Sequence, residues 1–309
     1  MPRFSEIRRF GFTYPLGWSY TRYDTFTQCK RKYYFEYYRK RDIENVARIE
    51  ALRELTSVPL EIGNISHKLI IGILTRLQKS ADEIDRDRFY AWAQRKAQTI
   101  FAKKKFEEVH YGKAESIDFV NEIFRPVMTA MINFFESPRL RWLYEEALLT
   151  RHDWFIEAEE NENNFEDKYL GECRIDEQKA YCKVDFMFPV GDELHIIDWK
   201  TGKQDGNINK HTTQLKGYAG WAKFQFGAEY SKVKPTAAYL LPEYSENSID
   251  VNEYDLDEFS GMIRRQTEHM KQYCEDADQN IPRPKEEFPM TEKMNLCGFC
   301  KYRELCGRA

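Results

Sequence analysis

The 309-residue sequence has no apolar run of about 18 residues, so nothing in it reads as a membrane-crossing helix. Its opening, Met1-Pro-Arg-Phe-Ser-Glu, lacks the apolar core of a secretory signal, and a soluble, cytoplasmic protein is the expectation. A strong charge of either sign is missing too. Lysine and arginine number 47 against 51 acids, a net charge of -4, which excludes a uniformly basic nucleic-acid binder. The seven cysteines are odd in number and uneven in spacing, unlike a secreted disulfide framework. No Gly-x-x-x-x-Gly-Lys-Ser/Thr phosphate loop occurs.

What is present suffices for a large core: 42% hydrophobic residues, with 21 Phe and 19 Tyr, exclude wholesale disorder. Helical spacing of apolar residues covers 18–40, 60–78, 85–107 and 116–136, with a charged connection at 41–58 and no internal repeat. After Arg141 the pattern shortens and alternates. Strands are expected at 147–157, 168–176, 180–190, 193–200 and 236–241. Helices are expected at 208–226 and 255–278, and an extended, proline-bearing arm at 280–296. Four segments result: an N-terminal segment 1–45, a helical region 46–140, a core 141–245, and a C-terminal helix and arm 246–309.

The strands 181–190 and 193–200 are joined by Gly191-Asp192, which suits a two-residue type II′ turn. That turn pairs Val190 with Glu193, and counting back along both strands sets Asp185 opposite Asp198. Lys200 then falls on the same face as Asp198. Two opposed carboxylates repel one another, and a hard divalent cation such as Mg²⁺ or Mn²⁺ removes the repulsion. The flanking Ile196-Ile197 and Phe186-Met187-Phe188 point to burial rather than to an exposed hairpin face.

His67 sits among Ile70, Ile71 and Leu74 on the most apolar helix, where a histidine is more often core than ligand; only the acid pair promotes it. Gln214 and Tyr218 stand four apart on one helix face, which an ordinary amphipathic helix also explains. Lys30-Arg31-Lys32, Arg39-Lys40-Arg41 and Lys103-Lys104-Lys105 are local basic runs, more often solvated faces than phosphate tracks. Cys297, Cys300 and Cys306 lie within ten residues with no histidine near, a soft thiolate set for iron–sulfur or zinc. Cys29, Cys173, Cys182 and Cys274 compete as fourth ligand, although Cys173 and Cys182 read more simply as buried residues of strands.

With these residues in order, the chain resembles the PD-(D/E)XK nuclease superfamily, specifically its RecB-like members with a 4Fe-4S cluster, a group that includes AddAB-type and CRISPR-associated nucleases. The matching positions run over almost the whole chain: Cys29, Gly63-x-x-x-His67, Asp185, Asp198-x-Lys200, Gln214-x-x-x-Tyr218, then Cys297, Cys300 and Cys306. The resemblance implies an α/β fold of restriction-endonuclease type, a central mixed sheet flanked by helices, with a helical insertion and an iron–sulfur clip joining the termini. It implies His67, Asp185, Asp198 and the Trp199 carbonyl as ligands of Mg²⁺ or Mn²⁺, and Lys200 as the lysine that positions water. Gln214 and Tyr218 would contact DNA, and Cys29 becomes the preferred fourth cluster ligand. The implied activity is a metal-dependent DNA nuclease, an exonuclease on single strands or ends, in DNA repair, recombination or CRISPR and phage defence. The aromatic, basic residues 30–41 would stack on unpaired bases. Any unwinding would come from a helicase or defence partner. Two alternatives stand beside it: a weakly active DNA-binding or assembly subunit, and a zinc-stabilised nuclease. Tyr181-Cys182-Lys-Val before Asp185 departs from the small residue common in the family, and 80–140 matches none of its motifs.

Overall fold

Five strands make one mixed sheet in a computed structural model that describes residues 10–11, 13–156, 174–204 and 208–308. They are β1 (Phe155–Ile156), β2 (Phe186–Val190), β3 (Glu193–Lys200), β4 (Val233–Tyr239) and β5 (Ser245–Ser248), and they lie side by side in chain order. Neighbours are antiparallel except β3 and β4, which run parallel. A parallel pair cannot be closed by a hairpin and needs a crossover. The chain supplies it as the helix Ile208–Phe226, at the expected bounds.

Between β2 and β3 the register is the one that the turn chemistry implied: Val190 faces Glu193 and Phe186 faces Ile197. Gly191 takes φ +58° while Asp192 stays outside the left-handed region, the signature of a type II′ turn.

Helices flank the sheet, among them α1 (Tyr20–Gln28), α2 (Lys30–Tyr38), α3 (Val58–Lys79), α4 (Arg86–Phe101), α5 (Arg125–Glu136), α6 (Pro138–Glu145), α7 (Ile208–Phe226) and α8 (Glu253–Lys271). Strand alternation divides the core in two. Met187, Ile196, Ala237 and Tyr239 pack with α1, α2, α7, α8 and the C-terminal arm. Phe186, Phe188, Ile197, Trp199, Ala238 and Leu240 pack on the other side with α3 to α6. Asp198 and Lys200, even-numbered like Ile196, belong to the face that α7 covers.

Several expected elements differ. The single helix over 18–40 is two, because Cys29 takes an extended conformation (φ -161°, ψ 115°). It ends α1 and caps α2, its Sγ accepting from Lys32 N at 3.5 Å. The charged connection 41–58 contains a further helix, Val46–Arg53, whose Ile49 and Leu52 are buried. The strand expected at 147–157 is mostly a 3-10 segment, Ala147–Asp153, followed by the short β1. Within 180–190 only β2 is strand, and Cys182 lies before it, half-buried. The strand expected over 168–176 lies mostly outside the described residues, which show Arg174–Ile175 as its end; Cys173 lies outside them as well. The last long helix stops at Lys271, and Cys274 opens a short strand instead.

The polar edge strand β5 carries no apolar alternation and gave no signal. Among the described residues no helix is long and apolar enough to cross a membrane.

Most aromatics of residues 30–41 offer no face to bases, Tyr37 being the exposed one. Tyr33, Tyr34, Phe35 and Tyr38 are buried, and Phe288 of the C-terminal arm packs on Tyr33, Tyr34 and Tyr38. Aromatics at helical spacing, interleaved with bases, here form core with a charged outer face.

Candidate active site

Asp185 stands immediately before β2 and Asp198 near the end of β3, and both are buried. Asp185 Oδ2 accepts from the Trp199 amide at 2.9 Å, so the carboxylate is locked to the neighbouring strand. Burial pushes the Asp185 carboxyl up to about 7; His67 opposes the rise and the charge of Asp198 adds to it. Asp198 has Ala237 as its register partner on β4, a small side chain that leaves room beside the acid.

Lys200 Nζ forms an ion pair with Asp198 Oδ2 at 2.6 Å and donates to Gln214 Oε1 at 3.1 Å. Gln214 Nε2 donates to Tyr218 Oη at 2.9 Å. These two partners fix which way round the amide lies. Tyr218 is fully buried, and burial, with Asp198 and Asp185 nearby, holds its phenol well above the usual range. The O–H of Tyr218 therefore stays protonated beside the acids. Asp198, Lys200, Gln214 and Tyr218 form one connected set across β3 and α7.

His67 arrives from the opposite layer. Its Nε2 donates to the Trp199 carbonyl at 2.6 Å, and its Nδ1 lies 3.4 Å from Asp185 Oδ2. Gly63, one turn earlier on α3, faces the chain just after Lys200; a Cβ there would come within 3.1 Å of Thr201 Oγ1. The glycine lets the helix approach this closely.

A sequence model of the PD-(D/E)XK nuclease superfamily matches residues 17–307. The chain belongs to the PD-(D/E)XK nuclease superfamily. No curated protein matches it. Among solved structures it is similar to one titled crystal structure of SSO0001, at 16% identity over 64% of this chain and 77% of that one. The TM-score of that match is 0.29.

Nucleases of the PD-(D/E)XK superfamily use Mg²⁺ or Mn²⁺, and the donor set fits a hard cation. Two buried carboxylates, an imidazole and a backbone carbonyl meet at the end of one hairpin. Asp198 Oδ2 is buried, and its 2.6 Å contact with the Lys200 ammonium is a charge pair without hydrogen-bond geometry. Among the described residues no three His, Cys, Asp or Glu side chains are gathered tightly enough for a ready-made cation cage.

Sequence reasoning missed His211. It lies three residues before Gln214 and seven before Tyr218, on the same face of α7, buried and within 2.6 Å of Tyr239 Oη. Extending the Gln-x-x-x-Tyr stripe back by one turn would have found it.

Cys29, Cys297, Cys300 and Cys306 line a single small pocket, together with Lys32, Phe35 and Arg308. The two distant parts of the sequence therefore meet there. Arg308 Nη1 donates to Cys297 Sγ at 3.3 Å. Burial pushes the Cys306 thiol up to about 11 and raises that of Cys300. Cys274 is buried elsewhere, 3.8 Å from Tyr38 Oη. The arm is tied to the N-terminal helices by Arg31, which donates to the carbonyls of Phe288 at 2.9 Å and Pro289 at 3.1 Å.

Proposed function

We propose that this chain is a divalent-cation-dependent deoxyribonuclease, an exonuclease on single strands or ends, whose termini are clipped by a 4Fe-4S cluster. The observation that carries the catalytic part is Lys200, half-buried and held between Asp198 and Gln214. A lysine serving only as a surface charge has no need of two fixed partners.

Asp185, Asp198, His67 and the Trp199 carbonyl would hold Mg²⁺ or Mn²⁺, which when bound supplies Lewis-acid activation of water and charge stabilisation at phosphate. Lys200 orients the attacking water and stabilises negative charge developing on the phosphoryl oxygens. Gln214 fixes the ammonium and is itself fixed by Tyr218. The surrounding apolar layers keep bulk water from screening these charges.

The cluster reading is supported by four thiols on one cavity, and soft thiolates suit iron–sulfur centres. With no phosphate-loop motif in the sequence, duplex opening falls to a partner in repair or in defence. The preference for single strands or ends rests on the family resemblance.

The test is cleavage of end-labelled linear and covalently circular single-stranded DNA, and of blunt duplex, by anaerobically purified protein with Mn²⁺. Degradation of linear single strands with circles untouched supports an exonuclease. Cutting of circles contradicts that mode, and no cutting of any substrate contradicts the nuclease.

A further inference from the structure

His211 belongs to none of the superfamily positions matched in the sequence, yet its side chain is enclosed next to them. Its Nδ1 lies 2.6 Å from Tyr239 Oη and the two rings are 5.5 Å apart. Tyr239 is the register partner of Lys200 on the parallel strand β4, so the two side chains stand together on the face that α7 covers. The backbone repeats the link, Leu240 N donating to Lys200 O at 2.7 Å. Lys200 is thus bounded by α7 twice: directly through Gln214, and through Tyr239, which His211 ties to the preceding turn of the helix. An apolar pair would fill this space without the cost of desolvating a phenol and an imidazole, so a core role alone does not call for this choice.

We propose that His211 is a positioning residue: through Tyr239 it fixes the end of β4 against α7 and so confines the Lys200 ammonium beside Asp198 and Gln214. Burial and the neighbouring Lys200 hold the imidazole down to about 4, against the pull of Asp198 and with Lys210 adding to the fall. It is therefore uncharged at neutral pH and does not repel the ammonium it helps to place.

The kinetic arm of the test rests on the nuclease reading; a spectroscopic arm does not. His211→Ala and Tyr239→Phe should each lower kcat about 10-fold with KM for DNA unchanged, and the double variant should lose no more than either. His211→Asn, whose amide reaches the position of Nδ1, should recover most of the rate. Losses that add, or an equal loss in His211→Asn that follows a fall in Tm, would overturn the proposal. Independently, the ¹³Cε resonance of Lys200, identified by its absence in Lys200→Arg, should shift in His211→Ala and Tyr239→Phe and return in His211→Asn. A resonance that does not move overturns the proposal whether or not DNA is cut. A wild type that cuts nothing while the resonance moves as expected would sink the nuclease reading alone.

Discussion

Gln214 Oε1 accepts from Lys200 Nζ at 3.1 Å, and this bond joins the crossover helix to the strand that carries the acid. The other end of the amide donates to Tyr218, so the lysine's position is inherited from a fully buried phenol two contacts away. Truncating Tyr218 should therefore matter without removing any group that touches the reacting atoms. Tyr218→Phe is expected to lower kcat about 10-fold and Gln214→Ala somewhat more, while Lys200→Ala loses about 10²–10³-fold. Single-turnover rates with saturating Mn²⁺ measure all three. An unimpaired Tyr218→Phe would mean that the chain of contacts does not set the lysine.

His195 gives a pH dependence. Its imidazole lies between Trp142 and Phe188, with ring centroids at 4.9 and 5.5 Å. Burial first, then Arg139, lower it from 6.5 to about 4. The unfolded chain thus binds a proton near pH 6.5 that the folded chain refuses until about pH 4. Stability from this group is complete above the unfolded value and is lost as pH falls through that window. His195→Phe should leave stability at pH 7.5 nearly unchanged and reduce the loss between pH 6.5 and 4 by about 1–3 kcal/mol. Denaturant titrations at the two ends of the window decide it; parallel curves for wild type and variant would refute the assignment.

Gly72 tests the packing of the helical layer. A Cβ there would come within 2.5 Å of Trp92 Cη2 and 2.9 Å of Cζ2. Glycine to alanine inside a helix favours the fold by about 1 kcal/mol, whereas forcing a rigid ring aside costs about 1–3 kcal/mol. The clash should win or nearly cancel the gain, so Gly72→Ala is expected to be neutral to destabilising in thermal melts. A clear rise in Tm would show that Trp92 moves freely.

The cysteine cavity yields a separate prediction. Protein purified without oxygen should absorb at about 400 nm, as iron–sulfur centres do, and each of Cys29→Ser, Cys297→Ser, Cys300→Ser and Cys306→Ser should weaken or abolish that band. Cys182→Ser and Cys274→Ser should leave it intact. A colourless protein holding one zinc would favour the alternative centre.

How far the sequence carried the account depended on whether local chemistry decided the outcome. The β2–β3 register followed from Gly191, because a two-residue turn and a period of two leave no freedom. The same periodicity put Asp198 and Lys200 on one face, whereas His67, Gln214 and Tyr218 stood out only through the family resemblance. The break at Cys29 was not legible, since the surrounding residues all favour helix and only the extended thiol ends it. Nor was the fate of Tyr33, Tyr34 and Tyr38, against which Phe288 packs from at least 250 residues later in the chain. β5 and the His211–Tyr239 contact likewise exist only once distant elements pair.

The most direct measurement is hydrolysis of end-labelled single-stranded DNA by wild type and by Lys200→Ala, with Mn²⁺, with Mg²⁺ and with EDTA, both proteins checked for equal Tm. The account predicts cutting by the wild type with either cation, none with EDTA, and a rate about 10²–10³-fold lower in the variant. Equal cutting by the two proteins, or cutting that persists in EDTA, would contradict it.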